Sequence, residues 1–143
     1  MKNILVDSGF WIAASNPNDQ HHEQVFAWLQ KNKTADYRFV TTWIVLCESF
    51  FMIKYKVGFQ TAVNLFKAYS RSEFDVFNLE SEHSQRIIQL LHKYRDRDID
   101  LADISLVIAA EHFNTGAILT VDENDFDSLR WNKNKYFQLL LRE

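Results

Sequence analysis

Cysteine, proline and glycine are scarce in this chain of 143 residues, which has one Cys, one Pro and three Gly. The single thiol, Cys47, excludes an internal disulfide, and a reduced, cytoplasmic setting is expected. So little Pro and Gly leaves few places for linkers, low-complexity tracts or repeats, and one domain over residues 1–143 is expected. No run approaches the ~20 apolar residues that span a bilayer. The opening MKNILVDSGFW is a poor secretory signal, with one Lys and an early Asp. No membrane partner is expected. An excess of positive charge is also missing, since 16 Lys+Arg against 19 Asp+Glu give −3. Phosphate contacts favour basic groups, so this balance argues mildly against a plain nucleic-acid binder. It leaves room for an enzyme that gathers carboxylates round a metal ion, because the ion neutralises them locally.

Apolar residues are plentiful at 47%, with 12 Phe and 4 Trp, enough for a full core. Residues 2–7 (KNILVD) read as a strand buried on both faces, as in a parallel sheet. Residues 10–14 read as a short helix stopped by Asn16 and Pro17, and Asn18 or Asp19 caps the next helix, 21–31. A second strand over 38–41 leads into a helix that Thr42 opens and Gly58 follows. A helix over 60–70, a strand over 74–79 and a long helix from 80 or 81 to 94, with Leu90, Leu91 and Tyr94 inward, come next. The polar run 95–98 is a turn before a helix over 101–113, which Gly116 ends as a left-handed cap. A fourth strand over 117–120, an acidic loop (VDENDFD) and a last strand over 136–141 complete the chain. Strands alternating with helices predict an α/β fold with a mostly parallel sheet and right-handed crossovers. Ligands in such folds collect beyond the carboxyl ends of the strands, where strand order reverses.

The telling side chains are acidic. Asp7 ends an apolar strand, and Glu48 lies inside WIVLCESFFMI, where burial without a partner is costly. Asp100 and Asp103 are three apart at a helix start and share a face. Asp122 and Asp125 follow the fourth strand. Converging carboxylates repel unless a cation sits among them, and oxygen-only ligands favour magnesium or manganese over zinc. Each acid also has a plainer reading. Asp7 and Asp100 can simply cap helices, Glu48 can face solvent, and Asp122 and Asp125 can be loop acids. His21 and His22 are adjacent and diverge on a helix, so they read as surface residues rather than ligands. Arg95, Arg97, Arg130, Lys133 and Lys135 are candidates for phosphate contacts, though a solvated surface accounts for each singly. The apolar stretch from Trp43 to Met52 reads as core with some interface.

The segments VDSGFWIA, the Glu48 helix, LADISLVIAA and LTVDENDF resemble, in order, the successive motifs of PIN domains, and the segment from Tyr94 to Phe126 is especially similar to VapC-type toxins. The resemblance implies a three-layer α/β/α fold with strand order 3-2-1-4-5. It implies an endoribonuclease dependent on magnesium or manganese, with Asp7, Glu48, Asp103 and Asp122 as the four acidic active-site positions and metal ligands. Asp100 and Asp125 fall on positions often acidic in the family. Ser8 and Thr120 fall on supporting hydroxyl positions. Implied partners are an RNA substrate, a small VapB-like antitoxin that reaches into the acidic groove, and a second copy in a homodimer. Gly9 stands where relatives often carry a bulkier residue, and Glu123-Asn124 where many carry basic ones. Two rivals remain: a non-catalytic PIN fold that docks RNA or protein, and an aspartyl-nucleophile phosphate-transfer enzyme. The second lacks the further Asp two residues after Asp7, since Gly9 stands there.

Overall fold

The computed structural model describes residues 1–142. Strand β1 (Lys2–Val6) leads to helices α1 (Ser8–Ser15) and α2 (His22–Lys31), and then to β2 (Tyr37–Thr42). Helices α3 (Trp43–Lys56) and α4 (Phe59–Ser70) precede β3 (Asp75–Phe77). A 3-10 turn (Ser81–His83), α5 (Ser84–Lys93) and α6 (Leu101–Phe113) bring the chain to β4 (Ala117–Leu119). Helix α7 (Glu123–Ser128), a small hairpin of β5 (Arg130–Trp131) and β6 (Lys135–Tyr136), and β7 (Gln138–Leu139) follow. Five strands form one parallel sheet in the order β3-β2-β1-β4-β7, the predicted 3-2-1-4-5 with β7 in fifth place.

β1 is central because it is apolar on both faces. Ile4, Leu5 and Val6 are all buried, and Leu5 registers with Val40 on one side and Ile118 on the other. The chain steps from β1 outward to β3, then returns past β1 to β4. Right-handed crossovers therefore put α1–α4 on one face and α5–α6 on the other. The order reverses between β1 and β4, so a crevice opens beyond their carboxyl ends. α6 is apolar nearly all round, buried from Ile104 through Ala110, and forms the base under that crevice.

The junction of β2 and α3 fixes the crevice wall. Thr42 is buried, and its hydroxyl accepts from the Val45 backbone N–H at 3.2 Å and meets Ser105 Oγ of α6 at 2.7 Å. Thr42→Val keeps the shape but removes the cap and one partner of Ser105. It should cost ~1–3 kcal/mol. Urea unfolding checks this: the midpoint should fall with an unchanged slope, and an unmoved midpoint refutes the cap's contribution.

Several details depart from the sequence reading. The stretch expected as an acidic loop contains α7, anchored by buried Phe126. The last strand is short, and a hairpin precedes it with positive φ at Asn132 and Lys133. The helix expected to run to 94 is split into a 3-10 turn and α5, and Leu91 is exposed rather than inward. Asn114 (φ 53°, ψ 47°), not Gly116, is the left-handed residue that ends α6. No helix among the described residues is long and apolar enough to cross a membrane.

Candidate active site

A cavity of about 370 Å³ occupies the crevice. Asp7, Glu48, Asp100, Asp103, Asp122 and Asp125 all line it, with Ser8 and Gly9 at one side and Val45, Ala102, Leu106 and Val121 as apolar wall. Thr120 stands just behind, bonded to Asp7. Every acidic residue singled out in the sequence is thus brought to one place. Asp98 lines the cavity too. It was hidden in the polar run Arg95-Asp96-Arg97-Asp98, where nothing separates a lining acid from a turn acid.

Each carboxylate arrives by a different local device. Asp7 follows β1 and caps α1, its Oδ1 accepting from the Phe10 backbone N–H at 2.9 Å. The capping and site readings of Asp7 therefore coexist. Its Oδ2 accepts from Thr120 Oγ1, and the same Thr120 oxygen accepts from the Asp122 backbone N–H at 2.9 Å. One buried hydroxyl so ties the ends of β1 and β4 together. Glu48 projects from α3 and is exposed, so its solvent-facing reading and its place in the cavity lining coexist. Oε1 of Glu48 accepts from Ser8 Oγ. Asp100 caps α6 by accepting from the Asp103 backbone N–H at 3.0 Å, while the Asp103 carboxylate takes a backbone hydrogen bond from Asp100 in return.

The charges are crowded. Burial pushes the Asp7 carboxyl up to about 6, against the hydrogen bonds from Thr120 and Phe10, and the charges of Asp122 and Glu48 add to the rise. Asp103 is pushed further, to about 8, first by burial and then by the charges of Asp100, Asp125 and Asp7. Asp125 rises to about 6 through burial and a carboxyl–carboxyl hydrogen bond with Asp122, partly offset by the charge of Arg97. The crowding thus makes negative charge costly in this cavity, most of all at Asp103.

The donor set fits a hard divalent cation, because the lining offers carboxylate and hydroxyl oxygens with no imidazole or thiolate. Among the described residues no three such groups already form a ready-made ligand shell. An ion would have to draw side chains inward, and Glu48, Asp98, Asp100 and Asp122 are the exposed carboxylates of the lining.

Comparison with known proteins agrees with this fold. The PIN domain family matches residues 4–132. Ribonuclease VapC26 of Mycobacterium tuberculosis is 22% identical over 127 residues, spanning 89% of this chain and 92% of its own length. The crystal structure of VapC20 from Mycobacterium tuberculosis, a Sarcin-Ricin loop cleaving toxin, superposes with a TM-score of 0.74 at 18% identity, over 85% of this chain and 91% of that one. VapBC2 from Rickettsia felis, solved bound to a DNA fragment from its promoter, gives a TM-score of 0.65 at 13% identity, over 96% of this chain and 98% of the other. The two structures speak for the fold and the family match for descent: this chain belongs to the PIN domain family, with VapC proteins as its relatives.

Proposed function

We propose that the protein is a metal-dependent endoribonuclease that hydrolyses RNA phosphodiester bonds, and that it is the toxin of a VapBC-type toxin–antitoxin pair. The observation that carries this reading is the cavity lining: seven carboxylates, counting Asp98, and no Lys or Arg, at the point where strand order reverses. Such a cavity repels a phosphodiester unless cations intervene. Asp7, Glu48, Asp103 and Asp122 would hold magnesium or manganese, which supplies a Lewis acid for phosphoryl charge and makes water more acidic.

The chain's own residues set the stage for that chemistry. Thr120 fixes one Asp7 oxygen and Phe10 N–H the other, so Asp7 is the rigid member of the set. Ser8 orients Glu48. Asp103, with its carboxyl raised to about 8, is largely protonated at neutral pH, so an ion held there would displace its proton. Asp100 and Asp125 support the neighbouring acids, Asp125 through its carboxyl–carboxyl hydrogen bond with Asp122.

The activities named for ribonuclease VapC26 and for VapC20 support RNA as the substrate. The VapBC2 assembly supports a small VapB-like antitoxin as partner. Phe51 and Tyr55 on α3 and Phe59 on α4 are 66%, 92% and 62% exposed, an apolar strip that supports a homodimer. The unpaired Cys47 supports a cytoplasmic setting. The residues from 1 to 143 act, on this reading, as one domain.

Cleavage of defined RNAs with magnesium or manganese tests the proposal. Asp7→Asn keeps the α1 cap, since Asn caps nearly as well, yet should cut roughly a hundredfold or more slowly, the scale of losing a charged group that acts on the transition state. Equal cutting by both proteins defeats the assignment. RNA bound but left uncut by the wild type, with either metal, points to the non-catalytic module instead.

A further inference from the structure

The acids of α7 are held from outside the cavity. Arg142 follows β7, and its guanidinium forks onto Asp127, Nη1 donating to Oδ1 at 3.0 Å and Nη2 to Oδ2 at 2.7 Å. Nε donates to Glu123 Oε2 at 3.0 Å. Glu123 and Asp127 lie four apart on one face of α7, where like charges repel, and the guanidinium bridges them. The fork is the directional, two-point geometry that distinguishes Arg from a loose surface cation.

α7 needs such help. It has six residues, far below the length at which a helix is stable alone, and no side chain caps its N-terminus. Phe126 pins its middle to Phe137, and Arg130 bonds the Asp127 and Leu129 carbonyls at its end. Buried Leu129 and the Asp122 N–H bond to Thr120 add two further ties, but all of these lie on the inner side or at the ends of α7, and its outer face is held by Arg142. Arg142 is a firm anchor for the purpose, because Leu140 and Leu141 beside it are buried and the Leu141 carbonyl accepts from Gln24 Nε2 at 3.1 Å. Arg142 lies in the 3-10 turn Leu140–Arg142 that follows β7, and β7 pairs with β4, the strand that feeds α7.

We propose that Arg142 is a positioning residue: by clamping Asp127 and Glu123 it sets the orientation of α7 and so presents Asp122 and Asp125 to the cavity. This rests on the reading of the cavity as a metal-dependent RNA-cleaving site. The clamp is made by residues outside the acidic set, with Asp127 and Glu123 together as its seat.

The test compares wild type, Arg142→Gln, Arg142→Lys and the swapped pair Arg142→Asp with Asp127→Arg. Amide exchange across α7, manganese affinity by calorimetry, and cleavage kinetics are read together. Arg142→Gln should speed exchange in α7 about tenfold while β1 and α6 keep their protection. Manganese should bind several-fold more weakly, and kcat should fall with KM for RNA unchanged. Arg142→Lys should recover little, because it lacks the fork, and the swapped pair should recover much of both readouts. Unchanged exchange in Arg142→Gln overturns the clamp. Faster exchange with unaltered manganese affinity overturns its link to the site. A wild type that neither binds manganese nor cuts RNA overturns the reading of the cavity and with it the positioning role, while the exchange result still reports on α7.

Discussion

Asp103→Asn should abolish RNA cleavage and, in the absence of metal, make the protein more stable at pH 8. The two effects share a cause. Asp103 is half-buried at the start of α6, and its carboxyl is raised from 3.8 to about 8, by burial first and by Asp100, Asp125 and Asp7 next. The folded chain therefore binds a proton that the unfolded chain releases near pH 4. Where the native state holds more protons, unfolding becomes easier as pH rises. The contribution of Asp103 is thus complete below about pH 4, declines through the window up to about 8, and is gone above it. Asn carries no charge at any of these pH values and can still accept the Asp100 backbone hydrogen bond, so it removes this slope. At ~1.4 kcal/mol per pH unit the whole shift is an upper bound. Water reaches part of the carboxyl and neighbours relax, so ~1–2 kcal/mol is the working expectation. That is a rise in Tm of roughly 3–8 °C at pH 8, shrinking to nothing near pH 4. Asp7 and Asp125, raised to about 6, leave the variant a weaker residual slope between pH 4 and 6. Manganese should raise the Tm of wild type at pH 8 and do much less for the variant, because the ion takes the place of the missing protons. A variant no more stable than wild type at pH 8 disposes of the linkage argument. One that still cuts RNA disposes of the role of Asp103. A gain in stability with a loss of activity is the usual mark of a strained site.

Much of this was legible in the sequence, and the losses have physical reasons. β1 announced itself because a strand buried on both faces must be apolar without interruption, and Ile4, Leu5 and Val6 leave no alternation to misread. The four acids Asp7, Glu48, Asp103 and Asp122 were found through the apolar segments beside them, and the resemblance supplied their common destination. Spacing alone does not bring residues from 7 to 122 together; reversal of strand order between β1 and β4 does. α7 was missed because its one buried residue, Phe126, makes no period, and the four acids in the seven residues VDENDFD read as a solvated loop. Asp98 was missed for a different reason, since it closes the polar run Arg95 to Asp98 and reads as one more turn acid. The side on which Glu48 lies was not legible, because its apolar surroundings give α3 no clear polar face; Ser49 turns inward while Glu48 and Cys47 face out on the same helix.

Gly116→Ala should destabilise the protein by ~2–4 kcal/mol, a fall of roughly 5–12 °C in Tm. Read from sequence, Gly116 looked like a left-handed helix cap, for which the substitution would cost only about 1 kcal/mol. The left-handed role belongs to Asn114, and Gly116 is small for a different reason. A Cβ at Gly116 would lie 2.3 Å from Trp131 Nε1 and 2.9 Å from Cε2, with Cζ2 at 3.1 Å. The indole cannot step aside easily. It is buried, Nε1 donates to the Tyr136 carbonyl at 3.1 Å, and the Lys135 ammonium covers its ring. Nor can the backbone retreat, because the Gly116 carbonyl accepts from Gln138 N–H at 2.8 Å and the next residue, Ala117, registers with Gln138 in the β4–β7 pair. A methyl group must therefore displace the tryptophan or peel the edge strand away. The two explanations separate in a double mutant. If the indole is the obstacle, Gly116→Ala should cost much less in a Trp131→Phe background, because the smaller ring vacates the Nε1 edge, and the two substitutions should be non-additive by more than 1 kcal/mol. If backbone conformation were the reason, the cost would be the same in both backgrounds. Because β7 leads straight into the turn that carries Arg142, peeling that strand should also loosen α7, and faster exchange there in Gly116→Ala would join the two ends of the same structural unit.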